Sequence, residues 1–111
     1  MTSFDAVIAL GSNMGDKAAN IAHALDLLGG GGEIRVIARS SLYRTRPWGV
    51  TDQDWFVNAC AGVETELGAN DLLGRCQAVE REMGRVRALK WGPRLIDLDI
   101  TAKGDLHIDG H

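Results

Sequence analysis

Apolar and polar positions follow two different periods along this chain. Phe4–Leu10 (FDAVIAL) is a short apolar run closed by Gly11-Ser12-Asn13, which reads as a buried strand ending in a turn. Gly11–Asp16 then forms a loop in which Asp16 or Asn13 is placed to cap a helix. Ala18, Ile21, Leu25 and Leu28 recur at helical spacing, and the glycines of Gly29–Gly32 end the helix because they favour non-helical backbone. The period returns to two in Glu33–Tyr43, with Ile34, Val36 and Ala38 facing one way and Arg35, Ile37 and Arg39 the other. Arg44–Asp54 is a polar loop carrying Pro47 and Gly49, long enough to be functional.

Trp55–Glu66 reads as a third strand, with Val57, Ala59, Ala61 and Val63 alternating against Phe56, Asn58 and Cys60. Asn70 is expected to cap a second helix over 71–84, with Leu72, Leu73, Cys76, Val79 and Met83 toward the core and Gly84 as its stop. A fourth strand follows, with Ile96, Leu98 and Ile100 on one face and Asp97, Asp99 and Thr101 on the other. Lys103–His111 is read as the start of a hairpin. The order βαββαβ predicts an α+β, ferredoxin-like domain over 1–111: an antiparallel sheet with both helices on one face.

Composition narrows the class without changing the fold. The chain has 111 residues, 45% hydrophobic and 24% charged, which fits one globular domain. A net charge of −3 gives no global attraction to nucleic acid or to an anionic membrane. Arg75, Arg81, Arg85, Arg87, Lys90 and Arg94 nevertheless make up half of the 12 basic residues, a local concentration suited to a small anionic ligand. Cys60 and Cys76 share no metal-ligand spacing with each other or with a histidine, and two free thiols point to a reducing compartment. The first residues have no basic segment before the apolar run, and no stretch approaches a membrane span; a cytoplasmic protein is expected.

Candidate chemistry concentrates in Arg85–Ile100 (RVRALKWGPRLIDLDI). Asp97 and Asp99 stand two apart on one strand face, where two carboxylates repel unless a cation lies between them; oxygen-only donors suit Mg²⁺. Arg85, Arg87, Lys90, Trp91 and Arg94 within ten residues suggest a phosphate grip beside that metal, although Arg85 and Arg87 also suit a helix C-terminus. Gly11–Asp16 lacks the Lys-Ser/Thr ending of a P-loop and is read as a capped turn. Gln77 and Glu80 share a helix face. Phe56 and Asn58 share a strand face and could stack on and hydrogen-bond a flat heterocycle. His23, His107 and His111 form no catalytic set with Ser, Cys or Asp.

Three blocks together resemble 6-hydroxymethyl-7,8-dihydropterin pyrophosphokinases of the folate pathway: ALGSNMGD at 9–16, SSLYRTRPWG at 40–49 with Gln53 and FVNA at 56–59, and GRVRALKWGPRLIDLDI at 84–100. The resemblance implies a ferredoxin-like fold and transfer of pyrophosphate from ATP to the pterin hydroxymethyl group, releasing AMP. It implies two Mg²⁺ ions on Asp97 and Asp99, with ATP contacts from Gln77, Glu80, Arg87, Trp91, Arg94 and Ile100 and a catalytic-loop arginine at Arg85. It further implies a pterin site at Thr45, Pro47, Trp48, Phe56 and Asn58. Arg46 and Trp48 differ from the smaller or apolar residues of other members. Members also continue beyond the fourth strand with a Pro-His motif and an Arg-x-Phe stretch, so the chain is expected to be a C-terminally truncated member. The alternative is a non-catalytic nucleotide- or pterin-binding module or inactive fragment; an RNA-binding domain is disfavoured by the acidic charge and the lack of an RNP1-like strand. The partners expected are ATP and the pterin, with no nucleic acid and no membrane; oligomeric state is not legible.

Overall fold

The structure is a computed structural model that describes residues 2–46, 55–83 and 95–108. Its elements are β1 (Thr2–Ser12), α1 (Lys17–Gly29), β2 (Ile34–Arg39), β3 (Tyr43–Thr45), β4 (Phe56–Thr65), α2 (Ala69–Met83) and β5 (Asp97–Ile108). The sheet runs β2-β4-β1-β5 with every pairing antiparallel, and β3 adds to β4 beyond the end of β2. This is the expected α+β, ferredoxin-like plan: each helix connects two strands that are not neighbours, so both pack on one face.

Strand alternation decides what lies on each face. Ala6, Ile8 and Leu10 of β1, Ala59, Ala61 and Val63 of β4, and Ile96 and Leu98 around the start of β5 form the core with Ile21, Leu25 and Leu28 of α1 and Leu72, Cys76 and Val79 of α2. Leu72 is fully buried, and trimming it to alanine costs about 2–5 kcal/mol in lost transfer energy and cavity. The opposite face carries Ala9 and Gly11 of β1, Phe56, Asn58 and Cys60 of β4, and Asp97 and Asp99 of β5, which neighbour one another in register. No helix among the described residues is long and apolar enough to cross a membrane.

Several boundaries differ from the sequence expectations for identifiable reasons. The expected second strand is two strands, because Ser40 leaves the β2 line: its N–H donates to Cys60 O at 2.8 Å while its Oγ accepts from Cys60 N at 2.8 Å. The chain then re-pairs with β4 as β3. Asn70 lies inside α2, whose first turn is closed by Leu72 N–H donating to Gly68 O, so it is not the cap. Leu73 is exposed because Leu72, Cys76, Val79 and Met83 already fill the inward stripe. Ala18 is exposed for the corresponding reason on α1. Lys103 lies inside β5, which runs on to Ile108 because β1 extends back to Thr2 and supplies partners that far; the rest of the expected hairpin segment, 109–111, lies outside the described residues. The two candidate caps of α1 resolve to Asp16, whose Oδ1 accepts from Ala19 N at 3.2 Å.

Candidate active site

The site is built on one row across the sheet. Gly11 in β1 pairs with Asn58 in β4 on one side and with Asp97 in β5 on the other; one row further along, Ala9 pairs with Cys60 and Asp99. Paired residues face the same way, so Asn58, Asp97 and Asp99 rise from the sheet on the face without helices. β3 extends the row outward, with Tyr43 opposite Asn58 and Thr45 opposite Phe56.

Asn58 is held firmly. Its Nδ2 donates to Thr45 Oγ1 at 2.9 Å and to Tyr43 O at 3.3 Å. Tyr43 Oη stands 3.9 Å from Cys60 Sγ, and that contact, more than burial, raises the phenol's pKa. Half-buried Phe56 completes the wall. Of the sequence-predicted pterin residues, Thr45, Phe56 and Asn58 therefore come together, while Pro47 and Trp48 lie outside the described residues. The guanidinium carbons of Arg44 and Arg46 each stand 5.4 Å from the centroid of the Trp55 ring, a cation–π arrangement that ties together the two ends of the chain flanking 47–54.

On the other side of Gly11, Asp97 is half-buried and Asp99 exposed. Between them Leu98 N–H donates to Glu80 Oε2 at 2.8 Å, so α2 grips β5 at the residue separating the carboxylates. This is a role for Glu80 that residue spacing did not reveal. Gln77 lies one turn earlier on α2 and is exposed; Ile100 is half-buried and pairs with Ile8. Arg85, Arg87, Trp91 and Arg94 lie outside the described residues, which resume at Leu95 beside the loop after β1.

That loop is braced from within. Asn20 Nδ2 donates to Ser12 Oγ at 3.1 Å and to Met14 O at 2.9 Å, and Gly15 takes φ +70, a left-handed conformation that a side chain would strain. Ser12 and Asn13 are buried polar residues at this end.

No group of three or more His, Cys, Asp or Glu side chains gathers among the described residues. The described chain thus offers Asp97 and Asp99, oxygen donors only. That set fits Mg²⁺, which keeps waters and takes phosphate oxygens beside one or two carboxylates, better than a metal wanting nitrogen or sulfur.

The model of one protein family, 7,8-dihydro-6-hydroxymethylpterin-pyrophosphokinase, matches residues 7–108, which include every strand of this row. The chain belongs to this family. A 2-amino-4-hydroxy-6-hydroxymethyldihydropteridine pyrophosphokinase from Methylorubrum extorquens is 54% identical over 97 residues, covering 87% of this chain and 61% of the relative. One of the same name from Pseudomonas aeruginosa is 46% identical over 102 residues, covering 92% and 63%. A mitochondrial folate synthesis bifunctional protein from Arabidopsis thaliana is 45% identical over 107 residues, covering 96% of this chain and 19% of that protein. The chain thus spans about three fifths of the length of the two bacterial pyrophosphokinases.

Proposed function

We propose that this chain carries the pterin- and metal-binding part of an ATP-dependent pyrophosphoryl transferase acting on 6-hydroxymethyl-7,8-dihydropterin in folate biosynthesis. The observation that carries the reading is the row Asn58–Gly11–Asp97. It sets a fixed amide and an aromatic ring on one side of the central strand and two carboxylates on the other. β4 and β5 are two strand spacings apart, about 10 Å. A flat heterocycle stacked at Phe56 and read by Asn58 can therefore extend a short hydroxymethyl arm toward Asp97 and Asp99.

Asp97 and Asp99 would hold two Mg²⁺ ions, which when bound neutralise the triphosphate and polarise its transferable group. The protein's own work is positioning: the α2–β5 tie holds the strand that carries the carboxylates, and Thr45 and Tyr43 fix Asn58. Gln77, Glu80, Arg87, Trp91, Arg94 and Ile100 are proposed to face ATP and Arg85 to serve turnover; Pro47 and Trp48 are proposed to complete the pterin wall. The proposed partners are these small molecules, with no nucleic acid. The two free cysteines suit a cytoplasmic setting.

Incubating the chain with MgATP and hydroxymethyldihydropterin should produce AMP and the pterin diphosphate. A binding module is the second reading, favoured by the fact that the described part of the site consists of groups that hold ligands. Retained binding of both ligands without AMP would select it; binding of neither defeats both readings.

A further inference from the structure

We propose that Gly11 is a specificity-determining position, whose missing side chain keeps the one available acceptor of Asn58 open to a ligand N–H; this rests on the pterin reading above. Gly11 lies within a central strand, where glycine weakens pairing. Its backbone does not demand glycine, because the positive-φ glycines among the described residues are Gly15, Gly32 and Gly104. What demands it is space. A Cβ at Gly11 would stand 2.9 Å from Asn58 Oδ1 and 3.5 Å from Phe56 Cδ1.

Asn58 cannot simply turn away. An amide NH₂ has two hydrogens, and both are spent on Thr45 Oγ1 and Tyr43 O. Only Oδ1 remains to meet a ligand, and it lies over Gly11, on the side toward Asp97. The slot therefore selects a heterocycle that brings an N–H donor to this point, rather than one presenting a bare acceptor edge. A methyl group at position 11 would either cover Oδ1 or force the amide off Thr45 and Tyr43, and each outcome removes the acceptor.

The test is a double-mutant cycle in the full 111-residue chain, titrating hydroxymethyldihydropterin in the presence of a non-hydrolysable Mg-ATP analogue. Gly11→Ala and Asn58→Ala should each weaken pterin binding about tenfold or more, with the double variant no weaker than the worse single one. Losses that add, or pterin and nucleotide affinity falling together, would overturn the proposal. If Gly11→Ala fails to fold while the double variant folds, the coupling through Asn58 stands; if neither folds, it is overturned. A wild-type chain that binds no pterin refutes the substrate reading instead. The side-chain amide resonances of Asn58 then decide: displaced by Gly11→Ala, they support the coupling; undisplaced, they overturn it.

Discussion

The two ends of the sheet both carry carboxylates but set them among different neighbours. At the end away from the candidate site, Asp5, Glu33, Arg35, Glu64, Thr65 and Glu66 line a hollow of about 550 Å³. Three of its four carboxylates are matched to partners: Asp5 Oδ2 accepts from Thr65 N at 2.8 Å, Glu64 pairs with Arg35, and Glu33 pairs with Arg75. At the other end Asp97 and Asp99 stand on one strand face, with uncharged Gly11, Ala9, Asn58 and Cys60 across the sheet. The hollow spreads its carboxylates among cations and a backbone donor, whereas the row gathers two carboxylates on one face beside uncharged neighbours.

The strongest way to break this contrast is to neutralise each end. Asp97→Ala and Asp99→Ala should each weaken Mg²⁺-dependent nucleotide binding by about a hundredfold or more while the chain still folds. Unchanged affinity in both variants, measured by calorimetry, would sink the metal assignment. At the far end, Asp5→Ala strands the Thr65 N–H and should cost about 1–3 kcal/mol of stability in denaturant unfolding, without altering ligand affinity. A ligand effect from Asp5 would show the two ends to be one functional unit.

Cys76 gives a subtler probe, since it lies in the core behind the site. Burial, then the nearby charges of Glu80 and Asp99, pushes its thiol from 9.0 up to about 11. The fold favours the neutral thiol, so the associated stability is present below pH 9 and is lost as pH rises toward 11. Chemical denaturation across that window should show the decline, and Cys76→Ala should flatten it; an equal slope in the variant would remove Cys76 as the cause. The smallest effect belongs to the exposed Arg35–Glu64 pair, where Glu64→Gln should change stability by no more than about 0.5 kcal/mol. A larger loss would mean that the far end is more than a solvated ion pair.

Period and spacing made most of the fold legible. The alternation of Val57, Ala59, Ala61 and Val63 against Phe56, Asn58 and Cys60 assigned both faces of β4, and Asp97 and Asp99 share their face as the two-residue period requires. What escaped was long-range. Gly11 looked like the start of a loop because a glycine after an apolar run usually marks a turn; only its pairing with both Asn58 and Asp97 reveals a strand residue. β3 escaped because the Ser40 hydrogen bonds to Cys60 that end β2 connect residues twenty apart. Glu80 was placed in the site through the family resemblance, but its hydrogen bond to Leu98 cannot be read from helical spacing.

That last contact has a kinetic consequence. Among the described residues β5 is an edge strand, so backbone amides pointing away from β1 should trade hydrogen for deuterium quickly. The amide of Leu98 is bonded to a side chain from the neighbouring helix, and it should exchange as slowly as amides in the middle of the sheet. A single protected amide on an otherwise fast-exchanging edge would mark, in the spectrum of the ligand-free protein, the place where the strand bearing Asp97 and Asp99 is anchored.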